Sequence, residues 1–263
     1  MYAFAYERPA SLADVAARLA AGGQALAGGQ TLIASLKQRL AQPEQLIDLA
    51  GVAELSGIRK EGNTLVIGAM TRHETVADSA DVKALIPALA ALAGGIGDRQ
   101  VRAMGTIGGS VANNDPAACY PSALLALGAT VETNKRKIAA DDFFQGMFTT
   151  ALEPGELITA VHFPVPKKAA YAKFRQPASR FALVGVFVAQ TASGVRVAIT
   201  GAGNGVFRHP GLEAALSGSF TPEAVEGVAI DASELNGDLH ASAAFRAQLI
   251  KVQTQRAVQA ANA

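Results

Sequence analysis

The sequence predicts an α+β fold, and three successive patterns along its 263 residues carry that prediction. Short apolar runs alternate with helical spacing as far as about residue 55, and a hairpin signature with further helices follows. After Pro164-Val165-Pro166-Lys167-Lys168, long alternating strands give way to helices. Prolines followed by charge make that segment the best boundary in the chain. The expected division is 1–166, split into subdomains 1–55 and 56–166, then a small domain, 167–263, with a three-stranded antiparallel sheet and a helical bundle.

Ser11 with Asp14 is a capping pair, and Leu12, Val15, Ala16 and Leu19 recur at helical spacing until Gly22-Gly23 stops the helix. Leu26-Ala27, a turn at Gly28-Gly29, a helix over about 31–40 and the run Leu46-Ile47-Asp48-Leu49 form a strand, helix, strand unit. Glu61-Gly62-Asn63 turns a hairpin, and Thr71 with Glu74 reads as a capping box for the next helix. Leu85, Leu89 and Leu92 define one amphipathic helix ended by Gly94-Gly95, with 96–104 as a connection. Pro121 suits the first turn of a helix through Leu127, and strands are expected at 130–132 and 156–163. Strands at 171–175, 181–191 and 195–200 then precede helices near 212–216, 222–229 and 240–260.

Composition excludes more than it selects. The formal net charge is +1 and no basic run exceeds Lys135-Arg136-Lys137, so no nucleic-acid or anionic-membrane footprint is expected. No stretch approaches the roughly 20 apolar residues of a membrane helix, and no basic segment with an apolar core opens the chain, so a cytoplasmic location is expected. Cys119 is the only cysteine, which leaves no internal disulfide and no iron–sulfur cluster held by this chain alone; any such cluster must sit on a partner. His73, His162, His209 and His240 show no paired-ligand spacing. In Asp141-Asp142-Phe143-Phe144 the adjacent acids diverge, so one reads as capping a turn and the two phenylalanines as packing anchors. Gly201-Ala202-Gly203-Asn204-Gly205 lacks the third glycine and the context of a dinucleotide fingerprint, and no P-loop motif occurs.

The candidate site lies in two Gly-Gly segments. Thr106-Ile107-Gly108-Gly109-Ser110-Val111-Ala112-Asn113-Asn114-Asp115-Pro116 reads as neither a regular helix nor a central strand. Its glycines allow positive φ and leave no Cβ in the way, and consecutive backbone N–H groups would form an anion-binding concavity. Ala27-Gly28-Gly29-Gln30-Thr31-Leu32 joins an apolar run to a helix start, where N–H groups can face a phosphate. Two such cradles suit a pyrophosphate, although each glycine pair also fits a plain tight turn. Arg99 and Arg102 flank the second segment, either facing phosphate or simply solvated.

These two turns, with Lys37 to Leu49, Gly68-Ala69-Met70-Thr71, Pro121 into Ala123-Leu124-Leu125, Lys173-Phe174-Arg175 and Asp238-Leu239-His240-Ala241-Ser242-Ala243, resemble the FAD-binding subunit of the molybdenum hydroxylases. Within that family, which includes xanthine dehydrogenase and carbon monoxide dehydrogenase, the likeness is greatest to the carbon monoxide dehydrogenase medium-subunit type and runs nearly end to end. The resemblance implies a two-part FAD-binding domain of the PCMH type over 1–166 and an oxidoreductase subunit that carries FAD. It also implies partners: a large molybdenum-cofactor subunit and a small 2Fe-2S subunit, in a dimer of heterotrimers. Electrons would pass from the partner clusters to the FAD and on to an external acceptor.

By the same resemblance, the pyrophosphate would lie against Ala27, Gly28, Gly29, Gln30, Thr31 and Leu32 and against Thr106, Ile107, Gly108, Gly109 and Ser110, with Asn113 nearby. Ile158 would pack on the flavin and Arg175 would approach its ring, with Phe181 close by; each also fits a plain core or surface role. Cys119 stands where the family usually has an aspartate facing cofactor hydroxyls, and Asp115 is placed to compensate. A lowered thiol pKa or a packed, inert thiol are both open at that position. No catalytic side chain and no metal ligand is expected. The alternatives are a free-standing FAD-dependent reductase or oxidase, and a non-catalytic scaffold that has lost FAD.

Overall fold

The computed structural model describes residues 1–263. Strand β1 (Ala5–Glu7) leads into α1 (Leu12–Ala20), which Ser11 caps by accepting the Asp14 amide at 3.1 Å. Then come β2 (Gln24–Leu26), α2 (Leu32–Lys37) and β3 (Gln45–Asp48), and the three strands pair in parallel in the order β1-β3-β2. Val15 and Leu19 of α1 pack on Ile47, Leu49, Val52 and Leu55. α2 is shorter than the sequence predicts because Arg39 adopts φ 61° just beyond it and turns the chain away.

The second layer is a five-stranded antiparallel sheet. β4 (Ile58–Glu61) and β5 (Thr64–Gly68) form the expected hairpin around Gly62, at φ 59°. The chain then runs through five helices: α3 (His73–Asp78), α4 (Ala80–Leu85), α5 (Pro87–Gly94), α6 (Arg99–Met104) and α7 (Ile107–Asn113). After α8 (Tyr120–Leu127) come β6 (Thr130–Thr133), β7 (Lys137–Ala139), α9 (Ala140–Phe143), a small hairpin of β8 (Phe144–Gly146) and β9 (Thr149–Thr150), and β10 (Ile158–Pro164). The sheet order is β4-β5-β10-β6-β7, with Val161 of the central strand opposite Ile67 on one side and Val131 on the other. Leu65, Ile67, Val131, Val161, Phe163, Leu89, Leu92, Leu124 and Phe143 share one core.

Four expectations are corrected in this layer. Thr71 does not cap α3: its hydroxyl donates to Gly57 O at 3.1 Å and accepts the Gly57 amide at 3.0 Å, so Arg72 holds the cap position without a side-chain bond. The helix expected through Leu85 and Leu92 is broken at Pro87, which starts a new one. Asp98 accepts the Val101 amide at 2.8 Å and opens α6 where a connection was expected. Most consequentially, Gly108 and Gly109 lie inside a helix, α7, with neither at positive φ.

The C-terminal part contains the three long strands, β11 (Lys168–Arg175), β12 (Ala182–Thr191) and β13 (Gly194–Thr200), and a two-residue edge strand, β14 (Phe207–Arg208). All neighbours in this sheet are antiparallel. β12 is apolar on both faces because both are covered. Val184, Val186 and Val188 meet α10 (Pro210–Gly218) and α11 (Ala243–Asn262), while Phe187 and Ala189 join the core of the second layer. The helix expected over 222–229 is only a 3-10 turn, Pro222–Val225. Arg246 clamps α11 to the sheet: it is 3 % exposed and donates to Leu183 O and Gly201 O at 2.8 and 2.9 Å and to Asp238 at 2.7 Å. Asp141, rather than capping a turn, pairs with Arg196 at 2.6 Å and so ties α9 to β13. No helix is long and apolar enough to cross a membrane.

Candidate cofactor site

A cleft of about 620 Å³ opens between the β2–α2 turn, the start of α7 and the β11–β12 loop. Its volume falls in the roughly 300–1,000 Å³ typical of cofactor sites. Both glycine pairs border it, but they are built differently. At the first turn Gly29 has φ 70°, a conformation that favours glycine, and a Cβ at Gly28 would overlap the carbonyl of Met104. Within the protein, no acceptor takes the amides of residues 27–31, and no side chain caps α2. Five consecutive N–H groups are therefore left for a ligand.

At the second segment the amides are already used. Ile107 N–H donates to Thr71 O at 3.1 Å, Gly108 to Ala69 O at 2.8 Å, Gly109 to Thr106 Oγ1 at 3.2 Å and Ser110 to Thr106 O at 3.1 Å. The concavity of free N–H groups read from the sequence is absent here, because the cap of α7 and the end of β5 consume its donors. Gly108 is needed for packing: a Cβ would stand 2.5 Å from Ala69 Cβ and 2.7 Å from Ala69 O. Gly109 also borders the cleft, and a Cβ there would meet only Thr106 Oγ1 at 3.0 Å and Ala27 Cβ at 3.5 Å. What this segment offers a ligand is a surface without Cβ atoms, flanked by Ser110 and Asn113.

Of the remaining expected site residues, Ala27, Gln30, Thr31, Leu32, Thr106, Cys119 and Ile158 line the cleft, and so does Phe181. Ile107 does not: it is fully buried in the core beneath. Arg175 lies outside as well, beyond an irregularity in the β11–β12 pairing at Phe174/Arg175. Lys173 and Arg180 supply the basic groups in its place. The Lys173 ammonium donates to Gly95 O at 2.7 Å, Arg180 O at 3.2 Å and Cys119 Sγ at 3.4 Å. Cys119 is 5 % exposed, a packed thiol. Asp115 Oδ1 accepts the Ala117 amide at 2.8 Å, and Thr200 Oγ1 donates to Ala118 O at 2.7 Å, so the approach to α8 is fixed from both sides. Arg99 is exposed near Glu74, and Arg102 donates to Ile96 O and Gly97 O; neither lines the cleft.

Two cleft residues escaped sequence reasoning because no spacing marks them. The Glu156 carboxylate is covered by protein and accepts bonds from Thr133 and Arg136, and the Arg136 guanidinium holds its pKa down at about 2. His73 is buried at the edge of the cleft with Nδ1 unpartnered, and burial together with the Arg102 charge lowers its pKa to about 4. The free amides of the first turn and the bare face of Gly109 fit a dinucleotide such as FAD.

The comparisons with known proteins agree. Residues 2–166 match the family model described as the FAD binding domain in molybdopterin dehydrogenase. The chain is 42 % identical over 201 residues to the carbon monoxide dehydrogenase medium chain of Afipia carboxidovorans, covering 73 % of this chain and 70 % of that one. It is 36 % identical over 212 residues to the nicotine 6-hydroxylase medium subunit of Paenarthrobacter nicotinovorans, covering 76 % and 75 %. Among solved structures, carbon monoxide dehydrogenase from Hydrogenophaga pseudoflava superposes with a TM-score of 0.92 at 35 % identity, covering 99 % of this chain and 97 % of that chain. A cleft made for a dinucleotide, in a chain that matches these medium subunits along most of its length, places the protein in the family of FAD-binding subunits of molybdenum hydroxylases, as an oxidoreductase component.

Proposed function

We propose that this chain carries FAD in the cleft as the electron-transfer subunit of a heteromeric molybdenum hydroxylase. Its partners would be a large molybdenum-cofactor subunit and a small 2Fe-2S subunit, in a cytoplasmic dimer of heterotrimers. The observation that carries the reading is the run of five unused amides at residues 27–31 in the same cleft as the Cβ-free surface of Gly109. Bound FAD supplies the redox chemistry, accepting electrons from one side and releasing them to another acceptor. The protein's part is to hold and orient it. The amides of the first turn suit the pyrophosphate, Ser110 and Asn113 suit its hydroxyl-bearing portion, and Ile158 and Phe181 give an apolar end for a ring. Lys173, fixed by two carbonyls, keeps a positive charge at the cleft wall with no carboxylate bonded to it.

The division at residue 166 belongs to the same proposal, with 1–166 holding the cofactor and 167–263 bracing the approach to α8. Substrate choice is assigned to the large partner, since medium subunits of both a carbon monoxide dehydrogenase and a nicotine hydroxylase are similar to this chain. The purified chain should bind about one FAD and oxidise no substrate alone, and partner subunits should restore substrate-driven bleaching of the flavin. Bleaching in the metal-free chain would favour a free-standing flavin enzyme, and a colourless chain that takes up no FAD would favour a scaffold.

A further inference from the structure

His73 is the cleft residue whose polar atoms the protein leaves unused. It is 4 % exposed, and Nδ1 is buried with no hydrogen-bond partner. Its backbone is fixed at the start of α3, where the amide donates to Gly105 O at 2.9 Å. The ring packs against Gly105, where a Cβ would come within 2.6 Å of Nε2, so a side chain at 105 would displace the imidazole. Gly105, Thr106 and His73 all border the cleft. On its other side the ring lies 5.4 Å, centroid to centroid, from Tyr120, whose hydroxyl is also unpartnered. The lowered pKa keeps the imidazole neutral at pH 7, with one N–H donor and one acceptor nitrogen. Nδ1 is sealed inside the protein, whereas Nε2, at the Gly105 edge, is not sealed and has no hydrogen-bond partner, so Nε2 is the nitrogen left for a group in the cleft.

We propose that His73 is a cofactor-binding residue, holding its Nε2 in hydrogen bond with an oxygen of the bound FAD beside Gly105 and Thr106. This rests on the cleft being the FAD site. The contact is made by a neutral ring, so it orients the ligand without adding charge to the cleft.

The test replaces His73 with leucine and with glutamine in the full chain. His73→Leu removes an unpaired polar group, so the cofactor-free protein should melt at the wild-type temperature or above, while its FAD dissociation constant rises about tenfold. His73→Gln, whose longer side chain can bring its amide nitrogen near the position of Nε2, should recover most of the affinity. Imidazole ¹⁵N resonances of His73 in the wild-type chain should shift during FAD titration, a readout independent of whether the leucine variant folds. Unchanged affinity in His73→Leu, or ¹⁵N resonances that ignore FAD, would overturn the assignment. Lost stability with unchanged affinity would overturn it too, and would give the nitrogen to a buried water shared with Tyr120. If the wild-type chain binds no FAD, the cleft reading fails first; if it binds, only the His73 contact is at stake.

Discussion

Around Gly28-Gly29 the amides of residues 27–31 have no acceptor in the protein, whereas around Gly108-Gly109 every amide from Ile107 to Ser110 is already bonded. The same dipeptide therefore serves two ends. In the first turn glycine provides a left-handed backbone and keeps donors open, and in the second it lets a helix lie on Ala69 with nothing between. A Gly-Gly pair in a sequence reports that a Cβ is unwelcome; whether a ligand or the protein's own backbone excludes it depends on long-range contacts.

Breaking the comparison at Gly108 should have the largest effect. Gly108→Val drives a branched side chain into Ala69, so the expected loss is about 1–3 kcal/mol of stability together with FAD binding. Thermal melting of the cofactor-free variant checks it, and a wild-type melting temperature would mean that the Ala69 contact can relax.

Much of the scaffold was legible because its signals are local. Ser11 caps α1, Gly62 turns the hairpin, Pro121 sits in the first turn of α8, and the strands of the C-terminal sheet follow their alternation. α7 was not, since Gly108-Gly109 and Asn113-Asn114 disfavour a helix locally and what stabilises it comes from Thr71 and Ala69, more than thirty residues upstream. Thr71 itself misled, because its hydroxyl is taken by Gly57. The cleft was legible as two glycine turns and an α8 approach, while the presence of Lys173 and Arg180 in its wall depends on how the β11–β12 loop folds over it, which no spacing in the sequence marks. His73 carries no signal at all before the fold brings Gly105 against it.

Glu156, in the wall of the cleft, gives a control that touches neither glycine pair. Arg136 holds the Glu156 carboxylate below its unfolded pKa of 4.5, at about 2. A depressed carboxylate contributes stability that is fully present above the unfolded value and is lost as pH falls toward the folded one. Acid unfolding should therefore steepen between about pH 4.5 and 2, and Arg136→Ala should move the onset to higher pH. Circular dichroism against pH reads this directly; an unmoved acid transition would remove the pair from the account.

A smaller effect is expected at Cys119. A carboxylate introduced there would meet the Lys173 ammonium, which now donates to the sulfur at 3.4 Å, and part of its charge would be spent on that pair. Cys119→Asp should change the FAD dissociation constant by less than about tenfold, since a bond to a charged acceptor is worth about 1.5–3 kcal/mol before such competition. Flavin fluorescence titration measures it, and a much larger change of either sign would show that position 119 governs cofactor binding by itself.

The central claim is that FAD lies between the open amides of the first turn and the bare face of Gly109. Titration of Gly109→Val with FAD, beside melting of the cofactor-free protein, tests it most directly, because a side chain there enters the cleft and meets no backbone of the core. The account predicts a folded protein with near wild-type melting and FAD binding weakened by about tenfold or more. Wild-type affinity in that folded variant would contradict it and place the cofactor elsewhere.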